Sequence, residues 1–239
     1  MGSLAERYER VCERIATAAR QAGRDPDGVR LVAVSKGRPA DAAHALYALG
    51  QRDFGENRAE EGSDKIAALA ADAGLVWHMI GHVQSRKARA VAAQFHWVHS
   101  VDNAELAGRL SRAAATDRPL PILLECNVSG EPAKYGWAAD RTDDDPAQWE
   151  ALRAGVEGAL ALPGVAVRGL MTMAPVVADA EQARPVFAKL RRLRDRLAAR
   201  FPAAGWAELS MGMTDDFEVA IAEGATMVRV GRAIFAPPQ

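Results

Sequence analysis

Lys36 closes the run Val32-Ala33-Val34-Ser35-Lys36. An amine at the end of an apolar element has two readings. Desolvated, its pKa falls and the neutral form attacks a carbonyl to give a Schiff base; otherwise it reaches into water as an ordinary surface lysine. Two glycine-bearing segments follow far down the chain, Leu209-Ser210-Met211-Gly212-Met213-Thr214 and Arg229-Val230-Gly231-Arg232. Glycine lets backbone N–H groups approach phosphate oxygens, so Ser210, Gly212 and Gly231 suit a phosphate cradle, with Ser210 and Thr214 adding hydroxyl donors. For Thr214, Asp215 and Asp216 the alternative is the capping of a helix. Arg229 sits between Val228 and Val230, so alternation turns it away from the face those valines share. Buried there it needs an acceptor, either a ring nitrogen or phosphate of a ligand or an internal carboxylate.

Glu56, Asn57 and His78 are a second tier of polar candidates, able to meet a ligand's edge or to cap and support neighbouring elements. His78 and His82 are four apart, but across the end of a strand-like run rather than on one helical face, which argues against a metal pair. Met171-Thr172-Met173 reads as core, with Thr172 the one side chain suited to reach a pocket. Cys12 and Cys126 stand far apart in no CxxC pattern, so neither a metal knuckle nor a redox pair is expected.

Eight short β-branched, apolar runs carry these residues, at 31–35, 52–55, 76–80, 97–101, 122–127, 165–171, 208–210 and 227–230. Helix-like segments alternate with them, at 40–49, 58–73, 86–93, 104–116, 146–160, 178–200 and 215–223. A further helix opens the chain, where Ser3 and Glu6 form a capping box ahead of Leu4, Tyr8, Val11, Ile15 and Ala18. Strict alternation implies parallel strands with right-handed crossovers, and eight of them predict an α/β fold, a single (β/α)8 TIM barrel with an extra N-terminal helix. An open doubly wound sheet is the second choice. Too little chain follows the eighth run for a full helix, so the opening helix is expected to cover that gap. Residues 1–239 then form one domain. In such barrels chemistry sits at the C-terminal ends of the strands, where Lys36, Ser210 and Gly231 all fall. The stretch 128–145 reads as a functional loop.

A formal net charge of -1, from 30 Lys+Arg against 31 Asp+Glu, offers no global field for a polyanion. The arginines 191, 192, 194, 196 and 200 interleave with Leu190, Leu193 and Leu197, the pattern of a solvated helical face over a core stripe. Nucleic-acid binding is therefore not expected. Charges interrupt the N-terminal segment, and no stretch is apolar enough to span a bilayer, which with the cysteine usage points to a cytoplasmic protein with no membrane partner.

Lys36, the turn Gly55-Glu56-Asn57-Arg58, and segments 78–81, 127–137, 169–175, 210–213 and 229–235, in that order, closely resemble the pyridoxal phosphate homeostasis protein family. The resemblance spans nearly the whole chain and implies a single barrel like the N-terminal domain of alanine racemase, binding pyridoxal 5′-phosphate (PLP). It implies that Lys36 holds PLP as an internal aldimine. By the same resemblance Ser210, Gly212, Gly231 and Arg232 match phosphate-binding positions, Arg229 partners the pyridine nitrogen, and Asn57 and Thr172 lie near the ring. A permanently charged arginine at that nitrogen disfavours ring protonation, leaving a weaker electron sink than an Asp partner would. Lys134 resembles a family loop lysine able to approach the site, or is a solvated loop lysine. The ending Ala236-Pro237-Pro238-Gln239 replaces a longer glycine-containing tail, and Arg232 stands where many relatives have a small polar residue.

The function implied is intracellular PLP homeostasis: storage, buffering or delivery of the cofactor to recipient apoenzymes by a monomeric, non-catalytic protein. A related racemase completes its site with a second domain and a tyrosine base, and the chain is too short to hold that domain. The alternative is a PLP-dependent amino-acid racemase with Lys36 as one base. Of Tyr8, Tyr47 and Tyr135, only Tyr135 is on a loop of the working face, so it is the one plausible second base. A cofactor-free phosphate-sugar aldolase with a Lys36 Schiff base is a weaker third reading.

Overall fold

Ser3 starts the first helix as its sequence suggests. The Ser3 hydroxyl accepts from the Glu6 amide at 3.2 Å while the Glu6 carboxylate accepts from the Ser3 amide at 2.7 Å. The computed structural model describes residues 2–235, so the altered ending at 236–239 lies outside the described residues.

In chain order the elements are α1 (Leu4–Gln21), β1 (Arg30–Val34), α2 (Ala40–Ala48), β2 (Asp53–Glu56), α3 (Ala59–Ala68), β3 (Val76–Met79), α4 (Ala88–Gln94), β4 (Trp97–Val101), α5 (Ala104–Ala113), β5 (Leu120–Asn127), β6 (Trp137–Ala138), α6 (Pro146–Leu160), β7 (Val165–Met171), α7 (Arg184–Arg200), β8 (Glu208–Ser210), α8 (Phe217–Ala222), β9 (Met227–Val230) and α9 (Arg232–Phe235). All strand pairs are parallel, in the order β4-β3-β2-β1-β9-β8-β7-β5, and β4 pairs with β5 to close the ring. An eight-stranded β/α barrel results.

Several expectations need correction. The loop 128–145 contains β6, which adds to β5 through Cys126–Trp137 and Asn127–Ala138. Two residues are too few to show alternation in a sequence. The helix expected from 178 begins only at Arg184, after a 3-10 turn at Ala180–Ala183, because Pro185 has no N–H and is tolerated only in a first turn. One turn of helix, α9, follows the last strand. Helix α1 covers the rest of that gap, packing on α8 and α9, and the Arg7 Nε donates to the Ile234 carbonyl at 2.8 Å.

Strand alternation sorts side chains into two cores. Val228 and Val230 of β9, Trp77 and Met79 of β3 and Ile122 and Leu124 of β5 pack outward against the helices. The inner apolar cluster is small, Val32, Leu123, Met171 and Met227. Around it lie the buried polar side chains of His78, His99, Glu125, Ser210 and Arg229. On α7, Phe187, Leu190, Leu193 and Leu197 are buried, while Arg191 faces Glu223 at 3.2 Å and Arg192 faces Asp143 at 3.9 Å. Among the described residues no helix is long and apolar enough to cross a membrane.

Candidate functional site

A cavity of about 460 Å³ opens at the C-terminal ends of the strands, where Lys36, Asn57, Thr214, Arg229, Gly231 and Arg232 line it beside an apolar wall that includes Ile80, Met173, Val176 and Met213. Lys36, Asn57, Arg229, Gly231 and Arg232, singled out in the sequence, therefore share one cavity wall with Thr214, Asp215 and Asp216. Ser210, Gly212 and Thr172 are not part of its lining.

Lys36 is exposed. Its side chain is free while its backbone is held firmly. The Ser35 carbonyl accepts from the Lys65 Nζ at 2.6 Å, the Ser35 hydroxyl donates to the Glu56 Oε1 at 2.5 Å, and the Gly37 amide donates to the Glu61 carboxylate. Lys65, 4% exposed, also donates to Glu56 at 2.7 Å and to Glu61 at 2.8 Å. Burial pushes the Glu56 carboxyl up against the pull of Lys65 and Ser35, and its Oε2 has no partner. Glu56 is thus no ligand contact; it anchors the turn that carries Lys36. Lys65 passes unnoticed in the sequence because it stands on a helix rich in charge, and only its burial reveals its role.

The cavity floor is different. Arg229 is buried, and its Nη1 donates to the Ser210 Oγ at 2.6 Å and its Nη2 to the Thr172 carbonyl at 3.0 Å. No carboxylate of the described residues lies within ion-pair distance of it. Burial lowers its pKa to about 10, with Glu125 and Asp216 acting in the opposite sense. Glu125, on the inner face of β5, is pushed up to about 7 by burial and by Asp102, with Arg229 pulling it down.

The Ser210 hydroxyl, expected in a phosphate cradle, bonds to Arg229 and, at 2.9 Å, to the His99 Nδ1. The Thr172 hydroxyl donates to the Cys126 carbonyl at 2.8 Å, so only its backbone serves Arg229. Gly212, at φ +92, lets the chain pass α8: an added Cβ would lie 2.6 Å from the Ala220 Cβ. At Gly231 an added Cβ would come within 3.0 Å of the Val34 carbonyl, so β9 leaves the barrel hard against β1. Arg232 pairs with the exposed Asp215, and the Asp216 Oδ1 accepts from the Met213 amide at 2.6 Å.

His78 does not reach the cavity. It is fully buried in the barrel between Asp53 and His99. His82 points elsewhere, to Asp102 at 3.1 Å, and Tyr135 stacks on it with ring centroids 4.2 Å apart. Among the described residues no cluster suits a metal ion. Lys134 pairs with Glu131 and donates to the Met173 carbonyl at 3.0 Å, beside the cavity wall.

A closed parallel barrel with an amine and an arginine on one cavity at its C-terminal face defines a class. The family model described as "Alanine racemase, N-terminal domain" matches residues 8–237. An alanine racemase from Corynebacterium glutamicum shares the fold, with 18% identity, TM-score 0.62, and coverage of 95% of this chain and 60% of that one. Much nearer is a Pseudomonas aeruginosa protein named pyridoxal phosphate homeostasis protein, 45% identical over 236 residues, 98% of this chain and 96% of the relative. The structure of PipY from Synechococcus elongatus with PLP bound matches with TM-score 0.81 and 39% identity, covering 98% of this chain and 100% of that one. The chain belongs to the pyridoxal phosphate homeostasis protein family within the alanine racemase N-terminal domain class.

Proposed function

We propose that the protein binds PLP in the cavity between Lys36 and Arg229, as a Schiff base with Lys36, and serves intracellular PLP homeostasis by storing the cofactor or handing it to recipient apoenzymes. The observation that carries this reading is the pairing, on one cavity, of an exposed amine with an arginine whose donors are fixed. The residues fit the group. An apolar wall suits a planar ring, a free amine suits an aldehyde, and guanidinium and hydroxyl donors at Arg232 and Thr214 suit a phosphate. Bound PLP supplies an aldehyde for covalent attachment and an aromatic ring that withdraws electrons.

The chain's own residues divide that task. Lys65, Glu56 and Glu61 hold the backbone on either side of Lys36, so its amine swings into the cavity from a fixed base. Arg229 presents N–H donors from the floor and, as a cation, keeps a neighbouring ring nitrogen unprotonated. Asn57 and Gly231 flank the opening, and Lys134 stands by the Met173 backbone at the rim. The resident PLP relative supports the cofactor, and the relatives' shared name supports the role. Tyr135, the tyrosine the sequence offers as second base to a racemase mechanism, does not line the cavity and stacks on His82, which favours the carrier reading.

The experiment is the visible spectrum of purified protein with PLP, before and after borohydride, followed by peptide mapping. A reducible band and a pyridoxyl group on Lys36 are expected. No band, or label scattered over surface lysines, overturns the reading. Incubation of the loaded protein with L-amino acids should leave their chirality intact, and saturable racemisation lost in Lys36→Ala would make it an enzyme.

A further inference from the structure

Beneath the cavity, polar side chains from five strands form one line through the barrel. The Asp53 Oδ1 lies 2.9 Å from the His78 Nε2, the His78 Nδ1 lies 2.9 Å from the His99 Nε2, and the His99 Nδ1 lies 2.9 Å from the Ser210 Oγ. The line ends where the Arg229 Nη1 donates to Ser210 at 2.6 Å. Both histidines are 0% exposed and Ser210 likewise, so water does not complete the His78–His99 or His99–Ser210 bond from outside.

The two ends decide the middle. A guanidinium only donates and a carboxylate only accepts, while a neutral imidazole donates once and accepts once. Asp53 accepts from the His78 Nε2, so a neutral His78 accepts at Nδ1 from the His99 Nε2. A neutral His99 then accepts at Nδ1 from the Ser210 hydroxyl, whose oxygen also takes the Arg229 donor. One proton arrangement satisfies every link. A cationic His99 would carry hydrogens on both nitrogens, facing the His78 acceptor correctly but pointing a donor at Ser210 and a charge at Arg229. Burial, His78, Arg229 and Arg30 all hold His99 well below the usual imidazole range, and burial lowers His78 despite the pull of Asp53. Trp97, stacked on His78 at 6.0 Å, and Arg30, 3.7 Å from Asp53, close the far end.

A barrel interior is ordinarily filled by layers of branched apolar side chains, and a line of buried polar groups is retained at a cost in desolvation. We propose that Asp53, His78, His99 and Ser210 are positioning residues, a one-way hydrogen-bond relay that fixes the orientation and donor set of Arg229 from the opposite end of the barrel. The functional half of this proposal rests on Arg229 facing PLP; the relay itself does not. Because Ser210 and the Thr172 carbonyl each take one donor, the remaining N–H groups of the guanidinium are presented to the cavity in one plane.

The test uses the full-length protein with 15N-labelled histidine, read by long-range nitrogen–proton correlation at about pH 7. His78 and His99 are both expected as neutral Nε2–H tautomers, unchanged from about pH 6 to 8; a cationic ring or an Nδ1–H tautomer at either overturns the relay. Asp53→Leu removes the acceptor that fixes the His78 tautomer, so a second set of signals is expected at His99, one histidine removed from the change. A folded Asp53→Leu with His99 unaltered also overturns it. Ser210→Ala cuts the link next to Arg229 and should weaken PLP binding about tenfold and move the visible band of the complex, whereas wild-type affinity and spectrum would show that the relay does not act on Arg229. Should wild-type protein show the expected tautomers and bind no PLP, the relay stands and the cofactor reading falls.

Discussion

The rim and the floor of one cavity treat their cations in opposite ways. At the rim, Lys36 has an exposed side chain on a backbone locked by Lys65, Glu56 and Glu61. At the floor, Arg229 is buried, and its side chain itself is locked by Ser210 and the Thr172 carbonyl. The contrast separates two demands. A covalent attachment that forms and breaks needs an amine with rotameric freedom, whereas recognition of a ring edge needs donors that do not reorganise. Each locking network uses buried polar groups, and each spares the atom proposed to meet the ligand.

Breaking the rim should have the largest effect. Lys36→Ala is expected to abolish the borohydride-trapped adduct in peptide mapping while leaving the urea midpoint nearly unchanged, since an exposed side chain contributes little to stability. A lost fold in this variant would refute the division between free side chain and locked backbone. Next comes the support behind it. Lys65→Met removes one partner of a buried ion pair and leaves Glu56 uncompensated, so chemical denaturation should report a loss of about 3–5 kcal/mol.

The floor is sharpened by pH. Glu125 is held at about 7 against an ordinary 4.5, so the folded state binds its proton more tightly than the unfolded chain does. That contribution to stability is present below the ordinary value and is lost as pH rises through about 7. Glu125→Gln should therefore remove a decline in stability between about pH 5 and 8 and stabilise the ligand-free protein by up to about 3 kcal/mol at pH 8. Thermal melts across that range would show the decline persisting if the group were not buried as described. The smallest effect is expected at the outer rim, where Tyr135→Ala removes an exposed ring stack on His82 and should cost about 0.5 kcal/mol without changing the Lys36 adduct.

Much of this arrangement can be read along the chain. Alternating apolar runs and helical segments give the barrel, because strand and helix periods are local properties of a sequence. Lys36, Arg229, Gly212 and Gly231 are legible for the same reason: each falls at a strand end or beside one, where the fold places its working face. The readings that shift are those that depend on what lies opposite. His78 and Glu56 look equally able to meet a ligand, yet one joins the barrel interior and the other the support of the Lys36 turn. Lys65 and His99 carry no local signal at all.

Alternation tells which face of a strand a residue takes, and so places Arg229 away from its flanking valines. It does not tell which partner waits there. His99 and Ser210 are 111 residues apart, and they meet only because closure of β4 on β5 brings both to one interior. The Ser210 hydroxyl thereby meets an imidazole and a guanidinium, since a buried donor or acceptor must be satisfied by whatever the ring of strands sets beside it. Chain chemistry names the amine, the arginine and the glycines; ring closure assigns them to rim and floor.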